Sequence, residues 1–306
     1  MKGRFAPSPT GRMHLGNAFC ALLSWLSAKS QGGTWLLRIE DLDPQRSKQE
    51  GAQWIEDDLQ WLGLDWDEGG LEARNGDKGT SYRQSQRSDI YEQYLRRLEE
   101  RGLTYPCYCT RAELRATQAP HESDGRQVYP GTCRQRTTPP PLGVKPKTRL
   151  LVPDEDICFE DGHYGPQRVN LARHCGDFIL RHGDGAWAYQ LAVVVDDALM
   201  GVTEVVRGRD LLLSTPQQLY LYRQLGLNAP RFCHHPLLQN AQGQRLSKRD
   251  KALDMGALRQ RNRPEEVVGL LGHLAGLLPT NEPATPVELL PLFDWNKVPH
   301  EDQRID

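Results

Sequence analysis

The stretch Pro7-Ser8-Pro9-Thr10-Gly11-Arg12-Met13-His14-Leu15-Gly16-Asn17, running on into AFCALLSWL, decides how the rest of the chain is read. Two prolines and Gly11 spell a turn after a first short strand, and the apolar run spells a helix. His14 to Asn17 then fall at a helix N-terminus. Unpaired backbone N–H groups and the helix dipole make such an end attract phosphate. Gly16 lets the backbone approach a nucleotide closely, and His14 can donate to a phosphate oxygen as charge develops there. Taken alone, HLGN is a weak signal, and a surface turn with a solvated histidine is the better reading of it.

A second motif changes that balance. Arg245-Leu246-Ser247-Lys248-Arg249 sets cations beside a small hydroxyl, which suits a loop closing over triphosphate. One motif lies near the start of the chain and the other after its last apparent strand.

Between them the elements alternate. Thr34 to Ile39 is a short β-rich run. Ser47 to Leu64 reads as a helix opened by a capping box from Ser47 and Glu50, with Ile55, Leu59 and Leu62 at helical spacing. Ser88 to Arg101 is a second amphipathic helix, stopped by Gly102. Leu191 to Val195 is an unbroken apolar run, as in a strand buried on both faces. Thr215 caps a helix with Pro216 at its first position and Gly226 near its end. Pro264 starts a last helix through Val267, Leu270, Leu271, Leu274 and Leu278.

This order divides the chain into four stretches. Residues 1–102 and 186–250 read as two halves of one α/β, Rossmann-like catalytic domain. Residues 103–185 read as an insertion with little regular helix, holding a cysteine cluster, a polar stretch from Thr117 to Gln127 and the prolines 139–141. Residues 251–306 read as a short helical C-terminal region.

Composition sets outer limits. The 306 residues carry 38 Lys and Arg against 40 Asp and Glu, a formal net charge of −2. That balance lacks the basic surplus of strong phosphate binders. No run approaches the about 18 apolar residues of a transmembrane span, and the N-terminus has no apolar signal segment. Seven cysteines in such a chain read as reduced thiols of the cytoplasm, available for metal. The chain is read as a monomer with no membrane partner.

Four further blocks carry a family resemblance. RFAPSPTG (Arg4 to Gly11), RIEDLDPQRS (Arg38 to Ser47), YQLAVVVDD (Tyr189 to Asp197) and VVRGRDLLLSTPQQLYL (Val205 to Leu221) occur in this order. Together with HLGN and RLSKR, they resemble the HIGH, KMSKR and substrate blocks of the glutamate-specific class I aminoacyl-tRNA synthetases. The resemblance covers most of residues 4–250. Full-length members continue into a large anticodon-reading domain, whereas here only residues 250–306 follow RLSKR. The chain is therefore most similar to the truncated branch of that family. Members of that branch activate L-glutamate with ATP without tRNA and pass it to the queuosine in the anticodon of tRNA(Asp).

The resemblance implies where the substrates sit. Glutamate contacts fall on Arg4, Phe5, Ala6, Pro7, Ser8, Glu40, Tyr189 and Arg207; ATP contacts fall on His14, Gly16, Asn17, Ser247 and Lys248. Charge logic agrees. Arg4 and Arg207 offer forked donors to two carboxylates, and Glu40 can pair with the ammonium. Which arginine takes which carboxylate stays open. Arg38, Asp41 and Asp43 read as a structural ion-pair cluster. Asp196 and Asp197 fit either a ligand-binding strand end or a helix cap. Lys248 and His14 are the catalytic candidates for adenylation, with Mg2+ brought in by the triphosphate.

Cys107-x-Cys109 followed by Tyr129-x3-Cys133 reads as one structural Zn2+ site with three thiolates. For the fourth ligand, general zinc chemistry favours His121 and the family pattern favours Tyr129. From Arg245 to Arg263 seven basic residues stand against two acidic ones. They form either a tRNA-contacting face or a solvated helix face. Three other functions compete: a minimal glutamyl-tRNA synthetase charging the 3′ end of tRNA(Glu), a non-catalytic tRNA-binding relative, and a nucleotidyltransferase acting on a small molecule.

Overall fold

A computed structural model describes residues 1–76, 80–110, 128–137, 142–246 and 251–305. Its centre is a set of parallel strands. β1 (Lys2–Phe5) pairs with β2 (Thr34–Leu37), which pairs with β3 (Glu68–Gly69). A second parallel pair, β9 (Glu204–Gly208) and β10 (Arg231–His235), adjoins β1. Thr203 N–H, just before β9, donates to the Lys2 carbonyl at 2.9 Å.

Side chains of these strands alternate between two apolar cores. Trp35, Leu37 and Val206 enter one core, together with α1 (Leu15–Ser30), α2 (Gln49–Trp61) and α8 (Pro264–Leu274). Leu36, Val205 and Phe232 enter the other, together with α3 (Ser88–Glu100), α5 (Tyr189–Leu199) and α6 (Thr215–Leu225). A parallel sheet covered on both faces in this way belongs to an α/β fold. Fully burying each leucine of these cores contributes roughly 2 kcal/mol against the entropy of ordering the chain.

Residues 104–181 add β structure. β4 (Thr104–Cys107), β5 (Lys147–Leu150) and β8 (Phe178–Arg181) form an antiparallel sheet, and β6 (Asp156–Asp161) and β7 (Gly165–Asn170) form a hairpin. The one helix among the described residues here is the four-residue α4 (Leu171–His174). Leu150 and Leu180 pack in the same core as α3 and α5.

Several elements differ from the sequence reading. Leu191 to Val195 lies in helix α5, not a strand. That helix is buried from Leu191 to Asp197, so its apolar run shows no polar face and mimics a buried strand. Asp196 and Asp197 accordingly sit within a helix, at neither a strand end nor a cap.

Helix α2 starts at Gln49 with Lys48 as N-cap, so the Ser47–Glu50 capping box does not form. The Lys48 N–H instead donates to the Pro9 carbonyl at 3.0 Å. A Cβ on Gly51 would come within 2.5 Å of that same oxygen. The helix start is thus pinned to the proline turn. Thr215 is the first residue of α6 and Ser214 its N-cap; Gly226, at φ +66°, ends it as anticipated.

The C-terminal region is only partly helical. α7 (Met255–Arg261), α8 and the one-turn α9 (Pro286–Leu289) are followed by β12 (Gln303–Arg304), which pairs with β11 (Leu238–Gln239). Among the described residues no helix is long and apolar enough to cross a membrane.

From β1 the sheet grows one way to β2 and the other way to β9. The carboxyl ends of β1 and β9 therefore flank a topological switch point, where open α/β sheets bind ligands. The chain leaving β1 is the proline turn, and it leads into α1.

Candidate active site

A cavity of about 500 Å³ opens at that switch point. Its walls include Arg4, Phe5, Ala6, Pro7 and Ser8 from the end of β1, and His14, Gly16 and Asn17 from the start of α1. Glu40, Tyr189 and Arg207 complete them. Eleven sequence-predicted residues, scattered between positions 4 and 207, thus share one cavity. Ser247 and Lys248 lie outside the described residues, as does His121.

The N-terminus of α1 is built by HLGN itself. The His14 backbone N–H donates to Asn17 Oδ1 at 3.1 Å, and the Asn17 N–H to the His14 carbonyl at 2.8 Å. A Cβ on Gly16 would sit 3.0 Å from His14 Cε1. The glycine therefore gives room to the imidazole ring as well as lining the cavity. The chain beyond the RLSKR motif returns to this turn: the Met255 N–H donates to the Met13 carbonyl at 2.8 Å.

Behind Glu40 lies a buried ionic network. Arg38 is fully buried and binds Asp197 through Nη1 at 2.6 Å and Glu40 through Nη2 at 3.2 Å. Asp196 accepts from Arg87 Nε at 2.6 Å, Gln84 Nε2 at 2.9 Å and Tyr91 Oη at 2.7 Å. Asp41 accepts from Ser85 and Arg83, while Asp43 caps an exposed turn. Arg38 and Asp41 are thus structural ion-pair residues, and Asp43 is not in their cluster.

Among the residues that line the cavity, the cations Arg4, Arg12, Arg207 and Arg245 outnumber the carboxylates Glu40 and Asp210. Arg4 and Arg207 are buried. Arg4 donates Nη1 to the Val206 carbonyl at 3.4 Å, and its Nε lies 3.6 Å from Asp197. Burial raises the Glu40 carboxyl, and Arg38 opposes that shift. Burial likewise raises the Tyr189 hydroxyl and lowers Arg207. A surplus positive charge in a desolvated cleft fits a ligand with two carboxylates and one ammonium.

Sequence reading missed several wall and support residues. Cys20, Asp210 and His235 line the cavity; burial pushes the Cys20 thiol up to about 12, so it stays uncharged. Behind Arg207 stand His234, Asp161, Gln218 and Thr215. Thr215 and Gln218 lie within the block Val205 to Leu221, whereas the only signal for His234 was its place beside His235 in strand β10.

The cysteine cluster forms as read. The sulfurs of Cys107, Cys109 and Cys133 lie within 4.8 Å of one another. Tyr129 Oη is 3.4 Å from Cys107 Sγ and 3.8 Å from Cys109 Sγ, and Cys109 and Cys133 Sγ are 3.5 Å apart. A tetrahedral zinc with sulfur arms of about 2.3 Å and an oxygen arm of about 2.0 Å sets edges near 3.5–3.8 Å. The donor set therefore fits the ion. The Cys133 N–H donates to Tyr129 Oη at 2.9 Å, and the Arg149 guanidinium stacks 3.6 Å from the Tyr129 ring centre.

Parallel α/β architecture, a switch-point cavity and a HLGN turn opening a helix together define a class I aminoacyl-tRNA synthetase catalytic domain. The family model for tRNA synthetases class I (E and Q), catalytic domain, matches residues 1–282. A protein of Symbiobacterium thermophilum called glutamyl-Q tRNA(Asp) synthetase is 50% identical, over 99% of this chain and 95% of its own length. One of the same name from Nitratidesulfovibrio vulgaris is 47% identical, over 98% and 94%. The chain belongs to the glutamyl-Q tRNA(Asp) synthetase family. In structure it is similar to a glutamate tRNA ligase of Elizabethkingia meningosepticum crystallised with its amino acid: TM-score 0.83, 30% identity, covering 100% of this chain and 67% of that one. Methionyl-tRNA synthetase of Mycobacterium tuberculosis shares the fold alone, at TM-score 0.52 and 12% identity, covering 88% and 63%.

Proposed function

We propose that this protein activates L-glutamate with ATP and transfers it to the queuosine in the anticodon of tRNA(Asp). The observation that carries the first half is the meeting of Arg4, Glu40, Tyr189 and Arg207 with the HLGN turn in one cavity. The tRNA acceptor comes from the names of relatives that match along nearly their whole length.

In the first step a glutamate α-carboxylate oxygen attacks the α-phosphorus of ATP. The bond to pyrophosphate breaks, leaving glutamyl-adenylate. The protein positions the two reactants and offsets the developing charge. Arg4 and Arg207 hold the carboxylates, Glu40 the ammonium, and Tyr189 and Ser8 add hydroxyls; Phe5, Ala6 and Pro7 shape the wall. His14 donates to phosphate, with Gly16 and Asn17 forming the helix end beneath it. Ser247 and Lys248 are assigned to the triphosphate on sequence grounds, and Mg2+ enters with ATP. In the second step the acyl group passes to the queuosine and AMP leaves.

Cys107, Cys109, Cys133 and Tyr129 are assigned as ligands of one structural Zn2+, which would tie β4 to the loop before Cys133. Residues 103–185 are then an inserted zinc-bearing subdomain. The basic residues between 245 and 263 are assigned to tRNA phosphates.

The test is incubation with ATP, labelled glutamate and either queuosine-containing tRNA(Asp) or tRNA(Glu). Label on the queuosine of tRNA(Asp) supports the proposal. Label on the 3′ end of tRNA(Glu) instead overturns it.

A further inference from the structure

Arg207 is buried in the cavity lining, and its partners come both from its own block and from a strand and a hairpin outside it. Its Nε donates to His234 Nε2 at 3.0 Å, Nη1 to Gln218 Oε1 at 2.8 Å and Nη2 to Thr215 Oγ1 at 2.9 Å. His234 is fully buried on β10, the strand next to Arg207's own. Its Nδ1 lies 2.6 Å from Asp161 Oδ2.

Asp161 ends β6, at the tip of the β6–β7 hairpin. Its Oδ1 accepts from the backbone N–H groups of His163, Tyr164 and His234, at 3.1, 2.9 and 3.2 Å. The tip is pressed against β10: the Gly162 N–H donates to the Phe232 carbonyl at 2.8 Å, and a Cβ on Gly162 would meet Cys233 Sγ at 3.0 Å. A segment remote in sequence thus reaches the back of the pocket arginine.

The donors in this chain leave one arrangement. Arg207 Nε can only donate, so His234 Nε2 must be the bare, accepting nitrogen. The single imidazole proton then sits on Nδ1 and is given to Asp161. Burial keeps the ring neutral, lowering His234 to about 4. Asp161 stays ionised: burial alone would raise it, but His234 and the backbone N–H groups of Tyr164 and His163 together outweigh that and lower the pKa. On Arg207, Nη2 also donates to the Leu211 carbonyl at 3.4 Å, so one Nη1 hydrogen is left without a partner among those named, and the angle of the guanidinium decides where that donor points.

We infer that Asp161 and His234 are positioning residues, a carboxylate–imidazole pair that fixes the tautomer and the angle at which Arg207 meets a substrate carboxylate. This rests on the proposed glutamate pocket. It gives the hairpin of residues 156–170 a part in substrate choice that does not involve touching the substrate.

Asp161→Asn tests it by exchanging one atom. The Asn oxygen can keep the backbone N–H groups, which turns its NH2 toward His234 Nδ1. The imidazole proton must then move to Nε2, where it faces the Arg207 N–H donor to donor. Glutamate-dependent pyrophosphate exchange should show KM for glutamate raised roughly ten- to a hundredfold, with KM for ATP little changed. His234→Gln keeps an oxygen acceptor for Arg207, whereas His234→Leu removes it. The Gln variant should therefore fall between wild type and the Leu variant, and this pair serves where Asp161→Asn does not fold. Arg207→Lys is the reference for the pocket itself. If Arg207→Lys raises KM for glutamate and neither the Asn nor the Leu variant does, the positioning role is overturned. An equal rise in both KM values would overturn it as well, by marking a purely structural part. If Arg207→Lys leaves KM for glutamate unchanged, the pocket reading falls and this inference with it.

Discussion

Arg38 Nη1 meets Asp197 Oδ1 at 2.6 Å, with the arginine side chain fully shielded and the aspartate 2% exposed. The pair joins the segment after β2 to helix α5, and Arg38 also holds Glu40 at 3.2 Å. Arg38→Met keeps the volume but removes the charge. It leaves two buried carboxylates with Arg4, at 3.6 Å from Asp197, as the nearest remaining cation. Breaking a buried pair from one side costs about 3–5 kcal/mol. Urea unfolding should read that loss; a change below about 1 kcal/mol, the scale of a surface pair, would remove Arg38 from the centre of the fold.

The two adjacent histidines of β10 give stability a defined pH dependence. Burial lowers both His234 and His235 from 6.5 to about 4. Their folded values lie below the unfolded one, so the unfolded chain binds protons first as pH falls. The stability they allow is complete above about pH 6.5 and is lost toward pH 4, by up to about 1.4 kcal/mol per pH unit for each. His163, lowered chiefly by burial, acts in the same direction. Urea midpoints should fall steadily between about pH 7 and about pH 5. A flat profile would mean that these rings are already charged in the native state.

Legibility followed the range of the signal. HLGN, the helix from Ser88 and the αL stop at Gly226 are local, and each could be read from adjacent residues. Arg4, Glu40, Tyr189 and Arg207 were found because their surroundings resemble family blocks, and the switch point then gathers them. The run Leu191 to Val195 misled because burial on all sides erases periodicity, which alone separates helix from strand there. Ser47 and Glu50 spelled a cap, but a tertiary bond from Lys48 to Pro9 set the helix start. Asp161 could not be read at all: its role depends on a hairpin crossing to a strand 73 residues away.

The Cys107–Cys109–Cys133 cluster leads to a metal prediction. Purified protein should hold one zinc per chain, and these three thiols should resist a thiol reagent until a strong chelator is added. The exposed Cys158 should react at once and serves as the internal control. Tyr129→Phe should weaken zinc retention while leaving the three sulfurs in place. Metal-free protein with the same chelator-independent thiol protection would turn the cluster into a plain apolar core.

Gly16 gives the sharpest separation of stability from activity. An alanine methyl there would lie 3.0 Å from His14 Cε1 and 3.1 Å from Nδ1. The obstructing atoms belong to the end of a side chain, so the ring and not the backbone gives way. The helix itself gains from the exchange, by up to about 1 kcal/mol where the residue is fully helical. Gly16→Ala should therefore unfold at the wild-type urea concentration or slightly above it. On the role proposed for His14, the displaced imidazole would no longer reach the phosphate, and a misplacement of this size costs roughly ten- to a hundredfold in rate. Pyrophosphate exchange at saturating glutamate and ATP measures that loss. A variant both as stable and as fast as wild type would show that the position of the His14 ring does not matter to the chemistry.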